Sequence, residues 1–345
     1  MNDIYAEELK CIIESNICWD RLSGRRILIT GASGMIGTVL TDTLMLIAEK
    51  YDFSLTVMGR SEEKIKKRFG NYIGSDRFLY FCSDICEPLS EHGNFDYIIH
   101  AASNTHPLAY STDPVGTINT NTIGTDNLLK YAVNHGGCRF VFLSSVEIYG
   151  ENRGDTDEFD EKYCGYIDCN TMRAGYPESK RVGESLCRAY ESQYGIDVVI
   201  PRLCRIYGAT MLETDSKALS QFIKKAVNGE DIVLKSKGTQ LFSYCYVCDA
   251  AEAVLKIMIE GESGNAYNIA DSNSVITLKE LAELLAKEAG TKVVMEIPDE
   301  TESRGYSKAT KAVLSHKKIN SLGWKARYNM AEGIKTTLHQ LKNME

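Results

Sequence analysis

From residue 26 onward, short apolar runs alternate with amphipathic stretches of helical period, and a glycine-spaced turn, GASGMIG, joins the first such run to the first such helix. Together these observations predict an α/β chain: a Rossmann-type doubly wound parallel sheet covered on both faces, followed by a smaller mixed α/β C-terminal substrate lobe.

The elements follow in order. RRILIT (25–30) reads as a strand, MIGTVLTDTLMLIAEK (35–50) as a helix and FSLTVMG (53–59) as a second strand. A charged helical stretch at 61–69, strands at 78–84 and 97–103, a helix over 120–136 ended by glycines, and the strands RFVFLSS (139–145) and IDVVIPRL (196–203) continue the alternation. Such a rhythm builds βαβ units. Upstream, Ile4, Leu9, Ile12, Ile13 and Ile17 recur at near-helical spacing and predict a helix over residues 1–22. After about residue 205 the loops lengthen, and helices are expected at 218–229 and 278–289. The expected organisation is an N-terminal helical extension at 1–24, a dinucleotide-binding domain at 25–204 and a mainly substrate-binding lobe at 205–345. A strand near 242–248 and its adjoining helix are expected to interleave with the first domain.

Composition narrows the function. A formal net charge of -8 and a pI near 5.5 argue against nucleic acid or an anionic membrane as partner. No apolar run approaches the roughly 18 residues needed to span a bilayer, and the acidic start MNDIYAEELK is unlike a signal peptide, so a cytoplasmic protein is expected. The eleven cysteines are scattered through apparent strands and helices. The lone CxxC, Cys245 and Cys248, falls in an aromatic, alternating segment read as a strand, where residues three apart face opposite ways. No metal site is expected there.

Gly31-Ala32-Ser33-Gly34-Met35-Ile36-Gly37 opens a helix directly after a strand. Glycines let the backbone approach a pyrophosphate, and a helix N-terminus offers N–H groups and positive potential to it. A dinucleotide is therefore the expected cofactor. The second strand ends in Met58-Gly59-Arg60-Ser61, with no carboxylate for a ribose 2′-hydroxyl, so Arg60 leaves NADP open beside NAD. Asp84 and Ile85, after the third strand, stand where an adenine contact is expected.

Two further segments carry chemistry. LSSVEIYG (143–150) lies at the carboxyl end of a strand, where doubly wound sheets place their reactive groups. Tyr176-Pro177-Glu178-Ser179-Lys180 places a phenol and an ammonium on one helix face. A nearby ammonium together with a positive nicotinamide favours the phenolate, which would lower the Tyr176 pKa and make it a base. The Ser145 hydroxyl could bond a sugar hydroxyl and that phenol together.

In order and spacing, GASGMIG, Ser145, Tyr176 and Lys180 resemble the extended short-chain dehydrogenase/reductase superfamily, over roughly residues 25–340. Within its NAD-dependent epimerase/dehydratase family, HAASNTHPLAYSTDPVGTINTNTIGT (100–125), MRAGYPESKR (172–181), PRLCRIYG (201–208), GTQLFSYCYVCD (238–249) and LGW (322–324) look most like UDP-glucuronate decarboxylases. The resemblance implies NAD as cofactor and a nucleotide-sugar substrate processed through a 4-keto intermediate. It gives Tyr176 the role of base, Ser145 its hydroxyl partner, Lys180 its electrostatic support and ribose ligand, and Glu147 the second-stage acid or base. It also implies dinucleotide contacts at Ala101, Ala102, Ser103 and Asn121, and substrate contacts at Thr105, Arg173, Arg205 and Arg304. A homodimer through helices near 117–135 and 177–193 belongs to the same expectation.

The chain also departs from the family. Val146 stands where 4,6-dehydratases carry a proton-donating Asp. Arg205 replaces an Asn of the ligand-diphosphate region, and Phe242 replaces a diphosphate-binding arginine. Either Arg205, Arg304 or Lys311 takes over that charge, or the ligand is not a conventional nucleoside diphosphate sugar. A 4-epimerase, 4,6-dehydratase or 4-ketoreductase, and a catalytically silent dinucleotide-binding relative, remain the alternative readings.

Overall fold

The structure, a computed structural model, describes residues 3–89, 91–105, 107–296 and 309–343. Strands β1 (Arg26–Thr30), β2 (Ser54–Gly59), β3 (Phe78–Cys82), β4 (Tyr97–His100), β5 (Arg139–Phe142), β6 (Ser144–Ser145) and β7 (Asp197–Leu203) run parallel. With β11 (Asn265–Ile269) they form one sheet in the order β11-β7-β5-β4-β1-β2-β3, β6 pairing with β7. The doubly wound sheet expected from the alternating pattern is present.

Alternate residues of these strands feed two separate cores, as a sheet buried on both faces requires. Ile27, Ile29, Val57, Val141 and Val199 enter the larger core, which also holds residues of helices α2 (Met35–Ile47) and α8 (Val247–Glu260). Leu28, Met58, Phe140, Phe142, Val198 and Ile200 enter the other, with Leu128 and Leu129 of α5 (Pro114–Asn134) and Cys187 of α6 (Gly175–Tyr194). Asp113 caps α5 by accepting from the Gly116 N–H at 3.0 Å, with Pro114 at the first helical position, where a missing N–H costs nothing.

The N-terminal helix, α1, is shorter than its sequence suggests. It runs Asp3–Ile13 and is followed by a separate turn at Trp19–Leu22. Glu8 explains how it docks: its buried carboxylate accepts from Tyr246 at 2.7 Å and Gln340 at 2.8 Å, tying the extension to the distal part of the chain.

The smaller lobe carries a sheet in which β10 (Leu241–Tyr246) is central, flanked by β12 (Val275–Thr277), β14 (Lys311–Ala312) and β8 (Arg205–Tyr207). The interleaving with the first domain therefore differs in detail from expectation. The strand near 242–248 ends at Tyr246 and belongs to this lobe, while α8 and β11 return to the large sheet. Cys245 ends up on the strand and Cys248 in the first turn of α8. A helix at Met330–Lys342, which the sequence reading did not anticipate, is closed by a reciprocal cap between Asn329 and Glu332.

Candidate active site at the carboxyl ends of the sheet

Because the strands are parallel, the loops after β1, β2, β3, β4 and β6 open on one edge, and the order reverses direction beside β1, between β1 and β4. That switch point is where open α/β sheets bind ligands. Gly31 has φ 69°, and a Cβ there would lie 2.6 Å from the Ala102 nitrogen, so only glycine lets the loop after β4 close in. A Cβ on Gly37 would lie 2.4 Å from the Gly31 carbonyl oxygen, whereas one on Gly34 would meet only that oxygen, at 3.2 Å. Two glycines thus serve the chain's own packing, and the third bares backbone toward the open edge. The N–H groups of Met35, Ile36 and Gly37, in the first turn of α2, have no acceptor within the helix. No acid occupies that turn. The cradle fits a dinucleotide pyrophosphate.

Around it, Ala101 donates to the Thr30 carbonyl at 3.2 Å and the Ala102 N–H to the Thr30 hydroxyl at 3.3 Å. Arg60 is exposed at the end of β2, and exposed Asp84 accepts from the Cys86 N–H at 2.9 Å. Ile85 is buried against α5. Asn121 is fully buried and spends its amide within the protein: its Oδ1 accepts from Ser103 at 2.8 Å and its Nδ2 donates to the Ser179 hydroxyl at 3.0 Å. Ser179 in turn donates to the Tyr176 carbonyl at 2.9 Å. A polar strut therefore runs from the loop after β4 to the backbone of the tyrosine.

Helix α6 is fixed over the edge by several bonds. Arg181 donates to the Ile148 and Gly165 carbonyls at 2.7 and 2.8 Å, and Arg202 of β7 holds Glu184 through two bonds of 3.0 and 2.6 Å. Lys180 is 2% exposed and donates to the Leu143 carbonyl at 2.8 Å. Burial pushes its pKa down to about 7, against the opposing pull of the Glu184 carboxylate. Beneath it, His100 sits between the hydroxyls of Thr30 and Thr125 at 3.0 and 3.1 Å, and burial holds its pKa well below the usual imidazole range.

Ser145 begins the turn Val146–Tyr149, its hydroxyl accepts from the Glu147 N–H at 3.3 Å, and it faces the Tyr176 phenol closely enough to favour the ionised form. Burial dominates at Tyr176 and raises its pKa to about 12, with the Ser145 hydroxyl acting in the opposite direction. This is opposite to the lowering expected from the YxxxK pattern: in the protein alone desolvation dominates, and the Lys180 ammonium is turned to the Leu143 carbonyl. Glu147 accepts from Arg173 at 3.0 Å. Arg173 also lies over the Tyr110 ring, 5.0 Å from its centroid, and Tyr110 stacks on Tyr176 at 4.9 Å. Phenol, hydroxyl, carboxylate and guanidinium are thus gathered in one place, a set able to move protons at two neighbouring positions of a bound molecule.

Tyr110, from the short helix Pro107–Thr112, was not among the residues singled out from sequence. Its spacing to Pro107 and Pro114 was the available signal. Thr105 is exposed, and Arg205 lies on β8 in the smaller lobe. Arg304 lies outside the described residues. Among the described residues no helix is long and apolar enough to cross a membrane.

Residues 27–270 match the NAD dependent epimerase/dehydratase family. UDP-glucuronic acid decarboxylase 6 of Arabidopsis thaliana is 34% identical over 325 residues, covering 90% of this chain and 87% of its own. Among solved structures, dTDP-glucose 4,6-dehydratase of Bacillus anthracis in complex with NAD superposes with a TM-score of 0.77 at 18% identity, over 93% of this chain and 97% of that one. UDP-glucuronic acid 4-epimerase of Bacillus cereus, in complex with UDP-glucuronic acid and NAD, gives 0.75 at 19%, over 93% and 100%. The structural likenesses carry the fold, and the family match together with the decarboxylase identity carries the membership. This chain belongs to the NAD-dependent epimerase/dehydratase family of enzymes.

Proposed function

We propose that the protein decarboxylates a UDP-linked hexuronic acid through a 4-keto intermediate. The observation that carries this reading is Glu147, held by Arg173 beside the Ser145–Tyr176 pair, with Val146 rather than an acid at the preceding position. The decarboxylase relatives give the substrate class.

In this reading Tyr176 removes the proton of the sugar 4-hydroxyl, and Ser145 aligns that hydroxyl with the phenol. A dinucleotide held at the Gly31–Gly37 cradle would supply the hydride acceptor and donor for C4 and a positive ring that favours the Tyr176 phenolate. Lys180 holds its proton weakly and adds positive potential behind the phenol. A carboxylate at C6 lies β to the C4 ketone, so CO2 leaves with its bonding electrons passing into the enolate. The enolate then takes a proton at C5 from water positioned by Glu147, whose carboxylate Arg173 aims, and this restores the ketone. Tyr176 returns the proton as the ketone is reduced.

Val146 has no proton to give a departing 6-hydroxyl, which weighs against a 4,6-dehydratase. The gathered acid–base set weighs against a silent relative. NAD is the family's dinucleotide, and exposed Arg60 supports NADP as the finer alternative. A homodimer is supported by Val115, Ile118 and Ile123 on α5 and Val182 on α6, apolar side chains left in solvent on two helices that pack together. All eleven cysteines are free thiols, in keeping with a reducing cytoplasm.

The test is Glu147→Gln, assayed with UDP-glucuronate. CO2 release should fall by roughly 100-fold or more while the 4-keto sugar still forms. Loss of the first oxidation instead would show that Glu147 acts earlier, and wild-type protein that releases no CO2 would overturn the decarboxylase reading.

A further inference from the structure

In the smaller lobe, Arg205 forms no ion pair with any other described residue. β8 and β10 run parallel with Arg205 opposite Tyr244, and the Arg205 guanidinium lies over the Phe242 ring, its carbon 3.5 Å from the centroid. At that distance a guanidinium rests flat on the ring, so its N–H groups point outward from its edge. Nη1 of Arg205 is buried and has no hydrogen-bond partner among the described residues. A buried N–H left unbonded is costly, and an anionic oxygen in its plane removes the cost.

The position of this cation in the fold is informative. Leu203 of β7 is the register partner of Ser145, and Arg205 follows two residues further on, about 7 Å along an extended chain. It therefore stands beyond the reacting groups at the same edge of the sheet. Two other described cations considered for that charge are engaged elsewhere: Lys311 pairs with Asp157 at 2.7 Å, and Arg173 with Glu147 at 3.0 Å.

We infer that Arg205 grips the diphosphate of a nucleoside diphosphate sugar, supplying from β8 the charge that Phe242 does not supply from β10, with the phenyl ring as a platform that fixes the guanidinium plane. This assignment rests on the reading of the substrate as a nucleotide sugar. The stacked plane offers parallel N–H donors to two phosphate oxygens, a geometry that a lysine ammonium cannot copy.

Titration calorimetry with UDP, dTDP and uridine tests it, using wild type, Arg205→Ala, Arg205→Lys and the exchange Arg205→Asn with Phe242→Arg. The alanine variant should lose about 10- to 100-fold in nucleoside diphosphate affinity while uridine binding stays unchanged. Lysine should recover only part of that loss, and the exchange should restore most of it. Dinucleotide affinity reports that each variant is folded. Unchanged diphosphate affinity in Arg205→Ala, or an equal loss for uridine, overturns the assignment. Wild-type protein that binds neither diphosphate overturns both this assignment and the nucleotide-sugar reading. Diphosphate binding that depends on Arg205, without CO2 release from UDP-glucuronate, overturns the decarboxylase reading alone.

Discussion

Replacing Lys180 with methionine should abolish turnover and make the protein more stable. The side chain is almost wholly enclosed, with Nζ 4.7 Å from the Phe142 ring centroid and its hydrogen bond going to the Leu143 carbonyl. Burial moves its pKa from 10.5 to about 7. That displacement corresponds to about 5 kcal/mol held against the folded state wherever the lysine is protonated in both states. Methionine fills similar space without charge, but it strands the buried Leu143 carbonyl at a cost of about 1–3 kcal/mol. The net gain at pH 7 is about 2 kcal/mol, or about 3 °C in Tm for a chain of this size. The sign of the pH dependence follows from proton counting. Between pH 7 and the unfolded value of 10.5, the unfolded chain carries a proton here that the folded chain lacks, so wild-type stability climbs with pH. By pH 9 the climb is about 2 kcal/mol, enough to cancel the variant's advantage. Denaturant unfolding of both proteins at pH 7 and pH 9 measures this. A variant less stable than wild type at pH 7, or a gap that does not change with pH, would refute the reasoning.

Tyr176→Phe keeps the ring stacked 4.9 Å from Tyr110 and removes only the hydroxyl, so dinucleotide binding should persist while turnover falls. A loss smaller than about 100-fold in single-turnover rate would remove Tyr176 as the base. Arg60→Asp separates the dinucleotides: if Arg60 meets a 2′-phosphate, NADPH affinity should drop by about tenfold or more with NADH little changed, and parallel changes count against that contact. The dimer is tested by sedimentation. Wild type should run at twice 38.5 kDa, and Ile123→Asp with Val182→Asp should run as the single chain; a wild-type monomer rules the dimer out.

The large sheet was legible because its determinants are local. RRILIT and RFVFLSS are apolar at successive positions because both faces of their strands are covered, and GASGMIG needs glycine where a Cβ would strike backbone, that of its own loop at Gly37 and that of the loop after β4 at Gly31. What stayed hidden depends on contacts between distant segments. Nothing within YPESK tells that the lysine turns to the Leu143 carbonyl, or that burial dominates at Tyr176. Neither departure from the family pattern, Arg205 or Phe242, signals alone that the two side chains stack across neighbouring strands. Helix α1 is shorter than its apolar spacing suggests because Ile17, which continues that spacing, is buried from outside the helix. The helix at 330–342 had a legible signal in its Asn329-x-x-Glu332 cap.

The turn that carries Ser145 links the two halves of the proposed chemistry. It faces the Ser145 hydroxyl to the Tyr176 phenol, whose ionised form that hydroxyl favours, and pairs the next-but-one side chain, Glu147, with Arg173. Val146 between them is 5% exposed and belongs to the larger apolar core. An ionised carboxylate at that position would carry a desolvation cost unless the turn rearranged. In the proposed chemistry, the hydroxyl that aligns the 4-hydroxyl with Tyr176 and the carboxylate that assists at C5 thus come from residues two apart on one turn. Tyr110 and Arg173 close the circuit on the far side through ring and guanidinium contacts. A substrate entering this space exchanges those contacts for its own, so the same aromatic and cationic surfaces that pack the site also stand ready to hold a sugar ring.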